Sequence, residues 1–265
     1  MIERVQWEEL PVRLRTAVEE RTGTVIAAEP VTQGLNCSVA LTLDTRRSGA
    51  LFFKGVRDTD TEGVAALRWE ERVNSAVGGI SPAVRHDFRV AGWSCLAFDY
   101  VRGSNADLSP GSPDLDAVTS TMRRMHRLRT PDFAIPPLAD RFAEHLLPGE
   151  TDALSGRHLL HTDTNPHNIM ISDHGEAYVV DWAMPALGPA WVDPAYTAVR
   201  LMECEQAPAA ALAWLNGFTS WRQADPKAVS VFVEGTCRQW TAAVGGRGAE
   251  ASNARFRHLL GRPRA

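Results

Sequence analysis

One stretch of the chain constrains its fold more than any other. It reads His161-Thr162-Asp163-Thr164-Asn165-Pro166-His167-Asn168, and Asp181-Trp182 follows thirteen residues after Asn168. Between them lie two apolar runs, Ile169-Met170-Ile171 and Ala177-Tyr178-Val179-Val180, separated by the polar segment Ser172 to Glu176 with Gly175 in it, which is the pattern of a β-hairpin. Pro166 fixes its own φ and lacks an N–H, so the step from Asp163 to Asn168 reads as a rigid loop rather than a helical turn. Such a loop lets two polar side chains converge on one point, and Asp181, at the end of a neighbouring strand, can approach it too.

Upstream, Trp7 to Arg21 has a helical pattern despite Pro11 and stops at Gly23, while Thr24 to Val31 reads as a strand. A loop, Thr32-Gln33-Gly34-Leu35-Asn36, leads to a second strand from Cys37 to Leu43. The turn Asp44 to Gly49 then joins it to the run Ala50-Leu51-Phe52-Phe53-Lys54-Gly55. From Thr61 to about Val77 the period is helical, with Ala66, Val73 and Val77 on one stripe and Glu70 on the same stripe, whereas Glu71 turns about 100° away toward solvent. A carboxylate on the inward face needs a partner, and Lys54 is the natural one. Lys54 stands out for another reason: it and Lys227 are the only lysines among 28 basic residues. Against such a preference for arginine, a retained lysine points to a need for a compact ammonium. Val84 to Val90 and Trp93 to Val101 read as two more strands, the second ending in Phe98-Asp99-Tyr100-Val101-Arg102-Gly103. Ser104 to Pro113 reads as a loop, a helix is expected from Leu115 to Leu128, and the remainder outside the hairpin as mainly helical.

The order lysine, glutamate, Asp163, Asn168, Asp181 is the order of parts used in phosphoryl transfer to a hydroxyl. There the first aspartate accepts the hydroxyl proton, the asparagine and second aspartate hold Mg²⁺, and the lysine–glutamate pair orients phosphates. Mg²⁺ takes oxygen ligands and commonly only one or two from protein, which Asn168 and Asp181 supply. Two other readings exist. Asp163 and Asn168 could each cap a turn, as Asx side chains often do. His161, Asp163 and His167 could instead ligate zinc or iron, which leaves Lys54, Glu70 and Asp181 unexplained; His161 is expected to brace the loop through hydrogen bonds, and His167 to be solvated or to touch substrate. The Gly34 loop lacks the G-x-G-x-x-G spacing; either it is an ordinary turn or its backbone N–H groups from Leu35 to Ser38, or the Ser38 hydroxyl, cover phosphates.

Composition narrows the alternatives. A net charge of −4 with basic residues in both halves gives no basic stripe for nucleic acid. No apolar run approaches the roughly 20 residues that span a bilayer, and Met1-Ile2-Glu3-Arg4 opens without a signal-peptide pattern, so a cytoplasmic protein is expected. Cys37, Cys95, Cys204 and Cys237 form no C-x-x-C pair and are expected to be reduced thiols.

The His-x-Asp-x-x-x-x-Asn loop at His161 to Asn168, with Val180-Asp181-Trp182 in the place of D-F-G, resembles the aminoglycoside phosphotransferase family. The resemblance extends from the Gly34 loop to Asp193 in Gly188-Pro189-Ala190-Trp191-Val192-Asp193-Pro194. It implies an α+β, two-lobed, protein-kinase-like fold, with an antiparallel sheet and a helix in residues 1–101 as a nucleotide-binding lobe and a mainly helical catalytic and acceptor-binding lobe in 102–265. By position it implies that Lys54 contacts the α and β phosphates of ATP (GTP being possible), Glu70 holds Lys54, Asp163 is the base, and Asn168 and Asp181 bind Mg²⁺. It also implies that Asp99 and Val101 pair adenine through their backbone and that Asp193 is structural. The expected partner is a small-molecule hydroxyl acceptor, and the protein a monomer or weak homodimer. The acceptor stays open, since similar proteins phosphorylate aminoglycosides, macrolides, peptide antibiotics, choline, homoserine or sugars; Glu203, Glu205 and Asp107 are candidates for an acidic acceptor pocket or for solvated charges. A kinase-like binding protein without turnover would be marked by loss of the lysine, base or metal aspartate, and none is lost.

Overall fold

The computed structural model describes residues 4–31 and 37–261, so the Gly34-Leu35-Asn36 part of the expected phosphate loop lies outside the described residues while Ser38 lies within them. The chain divides into two compact units, one of residues 1–105 and 167–184, the other of 106–166 and 185–265.

In the first unit the helix expected from Trp7 to Arg21 is divided. Trp7–Glu9 form a single 3-10 turn and α1 (Val12–Thr22) begins after Pro11. Proline in a helix interior would remove a ladder hydrogen bond and crowd the preceding turn, so the chain restarts there instead. It stops at Gly23, whose φ of 83° suits a residue without Cβ and whose N–H donates to the Glu19 carbonyl at 2.9 Å.

The strands β1 (Val25–Pro30), β2 (Val39–Thr45), β3 (Gly49–Arg57), β4 (Val84–Val90) and β5 (Trp93–Asp99) follow, with α2 (Thr61–Asn74) between β3 and β4. They form one antiparallel sheet in the order β1-β2-β3-β5-β4. Side chains alternate across a strand, and this places the unit's chemistry. Leu51 and Phe53 pack with Leu10, Leu14 and Val18, whereas Val56 packs with Leu67, Leu96 and Phe98. Lys54 belongs to the second set by parity and so shares the sheet face covered by Leu67 of α2. Between the central strands Gly55 lies against Cys95, where a Cβ would stand 2.3 Å from the sulfur. The loop expected from Ser104 begins instead with a short strand, β6 (Gly103–Asn105). Its pairing partner is the segment Ile169–Ser172, distant in sequence, which local propensity cannot reveal.

The second unit carries α3 (Asp114–Met125) and β7 (His158–Leu160). Between them the expected helical structure is replaced by 3-10 turns at Leu138–His145 and Thr151–Leu154, in a segment interrupted by Pro131, Pro136, Pro137 and Pro148. The next strands, β8 (Ile169–Ser172) and β9 (Ala177–Val179), are the expected hairpin and belong to the first unit. There β8 pairs with β6, and the Val179 N–H donates to the Ile80 carbonyl at 2.8 Å.

Back in the second unit, β10 (Ala186–Gly188) pairs with β7. The helices α4 (Val192–Glu203), α5 (Pro208–Leu215), α6 (Thr219–Arg222) and α7 (Pro226–His258) follow, the last broken at Gly245, where φ is 78°. The core of this unit is aromatic: Trp191, Tyr196 and Phe256 surround Phe232, Trp191 and Tyr196 edge-on at centroid distances of 5.4 and 5.0 Å. Among the described residues no helix is long and apolar enough to cross a membrane.

Candidate active site

Each unit carries its own cluster of polar residues. In the first, Lys54 on β3 and Glu70 on α2 are 8% and 4% exposed, and their Nζ and Oε1 atoms are 2.6 Å apart. Lys54 Nζ also donates to Asp181 Oδ1 at 2.9 Å. Burial opposes the charge on Lys54, but Glu70 and Asp181 outweigh it and hold its pKa above the ordinary lysine value. Burial pushes the Glu70 carboxyl up to about 7 against the opposing pull of Lys54. A buried cation between two carboxylates is therefore built into the nucleus of this unit.

The β8–β9 hairpin positions Asn168 and Asp181. The Val180 N–H donates to the Asn168 carbonyl at 2.9 Å, which extends the ladder one step and brings both residues to the same end of the hairpin. Trp182 is buried and its indole N–H donates to the Val179 carbonyl at 3.0 Å, so the residue after Asp181 is fixed. Asp181 itself has φ 65°, an uncommon conformation for a residue with a side chain. Held backbones of this kind concentrate at functional sites.

In the second unit, Asp163 lies on the loop after β7. The Asn165 amide nitrogen is 2.9 and 3.0 Å from its two carboxylate oxygens. The Asp163 N–H donates to His161 Nδ1 at 3.3 Å, so His161 braces the loop as expected. Asp193 is buried and accepts the backbone N–H groups of His161 and Thr162 at 2.8 and 2.9 Å, the structural role expected of it. Burial raises the Asp193 pKa, opposed by His161, these two N–H groups and Arg141. Thr162 has φ 70° and its hydroxyl accepts from Arg141. Among the described residues no group of three or more His, Cys, Asp and Glu side chains could hold a metal ion, which leaves the zinc or iron reading of His161, Asp163 and His167 without a site.

Sequence reasoning missed a stripe on α4. Asp193, Thr197 and Arg200 stand at i, i+4 and i+7, one face of a helix. Each meets the 161–165 loop: Asp193 its backbone, Thr197 the Thr164 hydroxyl at 2.8 Å, and Arg200 Asp163 Oδ1 at 3.8 Å. The signal was the helical spacing from Asp193, legible only once Asp193 is known to face the loop. Of the remaining expected residues, Ser38 is half-buried and its carbonyl accepts from the Val5 N–H at 2.9 Å. The Asp99 N–H donates to the Ala83 carbonyl at 2.9 Å and its carboxylate lies 3.6 Å from Arg85; Val101 follows between β5 and β6. Glu203 is not a free acidic side chain but pairs with Arg200 at 2.6 Å.

Residues 102–227 match the profile described as "Phosphotransferase enzyme family". A thermostable mutant of aminoglycoside phosphotransferase APH(4)-Ia has a similar structure, with a TM-score of 0.62 at 13% identity over 93% of this chain and 98% of that one. A candidate fructosamine-3-kinase from Haemophilus somnus 129PT gives 0.63 at 12% identity over 96% and 98%. Choline kinase LicA from Streptococcus pneumoniae gives 0.57 at 13% identity over 93% and 99%. These likenesses show the kinase-like α+β fold. No curated protein sequence matches the chain.

Proposed function

We propose, from the match of residues 102–227 to the phosphotransferase enzyme family, that the chain transfers the γ-phosphate of ATP, with GTP as the alternative donor, to a hydroxyl of a small molecule. The observation that carries this reading is the buried Lys54–Glu70 pair at 2.6 Å continued to Asp181 at 2.9 Å. A lysine held on a strand by a helix glutamate is the device that orients the α and β phosphates in kinase-like phosphoryl transfer. In this reading the Ser38 hydroxyl covers the phosphates, and the Asp99 carbonyl, its N–H being engaged by Ala83, and the Val101 backbone pair the base.

Asn168 and Asp181, two oxygen donors at one end of a hairpin, fit a hard cation such as Mg²⁺. Such an ion supplies neutralisation of charge on the transferring phosphoryl group. Asp163 accepts the proton of the acceptor hydroxyl as its oxygen bonds to the γ-phosphorus; the bond from that phosphorus to the β–γ bridging oxygen breaks and the diphosphate leaves with the electron pair. Most of the rate enhancement then comes from positioning and charge stabilisation.

For the acceptor we propose an aminoglycoside-like or other antibiotic, supported by the similarity to the APH(4)-Ia structure. A choline-like, amino-alcohol or sugar acceptor is the second reading, supported by the equally similar choline kinase and candidate fructosamine-3-kinase folds. A mass-spectrometric screen with ATP, Mg²⁺ and a library of antibiotics and hydroxylated metabolites tests both, with Asp163→Asn as the control. One acceptor gaining a single phosphate only with the unaltered protein supports the reading; Asp163→Asn protein with undiminished transfer removes the assigned base.

A further inference from the structure

Asp163 has a second polar neighbour besides Asn165, and it comes from α4. Arg200 Nη2 lies 3.8 Å from Asp163 Oδ1, an ion-pair distance rather than a hydrogen bond, while its Nη1 is 2.6 Å from Glu203 Oε2, three residues along the same helix. Its Nε is buried with no hydrogen-bond partner among the described residues. The guanidinium is fixed at one end by Glu203 and presented at the other to the carboxylate.

We propose that Arg200 is a positioning residue for Asp163. It sets the orientation of the carboxylate through Oδ1 and leaves Oδ2, which the Asn165 amide approaches at 3.0 Å, to take the acceptor's proton. This rests on the assignment of Asp163 as the base. The geometry supports a positioning role over a bare surface ion pair, because the same face of α4 also holds the loop backbone through Asp193 and its Thr164 hydroxyl through Thr197. Asn165 reaches both carboxylate oxygens from within the loop and so does not distinguish between them. Arg200 approaches Oδ1 from outside the loop. Glu203 serves this arrangement by holding the arginine, which gives that residue a role other than binding a cationic acceptor.

The test uses magnesium-dependent ATP hydrolysis, with water in the acceptor's place, and the full chain carrying Arg200→Met, Arg200→Lys, Asp163→Asn and the pair Arg200→Met with Asp163→Asn. Misplacing a reacting group by about an ångström reduces turnover by up to roughly 100-fold. Arg200→Met is therefore expected to lower kcat about 30-fold with the KM for ATP within about twofold, and Arg200→Lys to recover part of the loss because charge is restored without the planar fork. In the Asp163→Asn background the same substitution is expected to have no further effect, as residues acting as one unit do not add. An equal loss in both backgrounds, or wild-type kcat in Arg200→Met, overturns the proposal. Wild-type turnover in Asp163→Asn would identify a different failure, that of the base assignment, and the proposal would fall with it. Thermal midpoints of the unaltered protein, Arg200→Met, Asp163→Asn and their pair give a readout independent of turnover: a non-additive shift of about 1–2 °C is expected for a local ion pair, and strict additivity shows that the side chains do not meet and overturns the proposal whatever the kinetics.

Discussion

Above the value near 7 to which burial pushes the Glu70 carboxyl, replacing Glu70 with glutamine keeps the side chain's shape and one acceptor but removes the charge that faces Lys54 at 2.6 Å. At an effective dielectric of about 20, that separation corresponds to roughly 6 kcal/mol of gross attraction. The net effect is smaller, because desolvation of both groups offsets much of it; breaking a buried pair by removing one partner typically destabilises by about 3–5 kcal/mol. The introduced amide still accepts one hydrogen bond and Asp181 still faces Lys54, so about 2–4 kcal/mol is expected, or roughly 4–8 °C in the thermal midpoint for a chain of this size. Differential scanning calorimetry measures this directly, and a parallel assay should show kcat/KM for ATP reduced about 10–100-fold as Lys54 loses its fixed position. The double substitution Lys54→Met with Glu70→Leu separates the two effects. It should recover most of the stability, as apolar replacement of a buried pair often does, and none of the activity. A Glu70→Gln midpoint within about 2 °C of wild type would refute the argument that the pair is a desolvated, mutually dependent unit.

Three further outcomes follow from the packing. Thr197→Val removes the hydroxyl that meets Thr164 and the Asp193 carbonyl, and because all three lie in the buried interior the loss should be about 1–2 kcal/mol by urea denaturation. Gly55→Ala forces a methyl group to within 2.3 Å of the Cys95 sulfur and should destabilise by about 1–3 kcal/mol, with Cys95→Ala in the same chain restoring part of the loss. His126 has its pKa lowered by burial and by His158, against a hydrogen bond involving Ala190. Stability from its neutral form is present above the unfolded-state value near 6.5 and is lost as pH falls from there through the folded value. The His126→Leu protein should therefore show a flatter decline in stability as pH falls below about 6.5, followed by urea denaturation at successive pH values; an unchanged slope would exclude His126 as the source.

The loop and hairpin of residues 161–182, and the candidate residues they carry, were legible in the sequence because they are contiguous there. The 3.6-residue stripe of α2 was enough to turn Glu70 inward, whereas the unbroken apolar run before Lys54 shows no alternation, so the face that Lys54 occupies follows only from the sheet. What escaped was set by partners distant in sequence. Arg200 and Thr197 look like ordinary residues of an amphipathic helix until Asp193 is seen to hold the 161–162 backbone. The strand β6 exists because β8 offers it an edge, and the prolines between α3 and β7 yield 3-10 turns whose positions depend on Phe142 and Leu154 entering the core. Pro11 is a smaller case: its effect on a helix was known, but the hydrophobic pattern around it suggested continuity.

The return of residues 167–184 to the first unit has a consequence for biosynthesis. The N-terminal sheet is complete when residue 99 has been made, yet β8, β9, Asn168 and Asp181 arrive only about 60–80 residues after the chain has left that unit at Asn105. At about 5–20 residues per second this interval lasts roughly 3–16 s on the ribosome. Throughout it the edge of β6 is unpaired by β8, and Lys54 and Glu70 face each other without Asp181. The nascent chain therefore holds an incomplete unit open while part of the other is synthesised, and a truncation at the end of the sheet would preserve that unfinished intermediate rather than yield a separable domain.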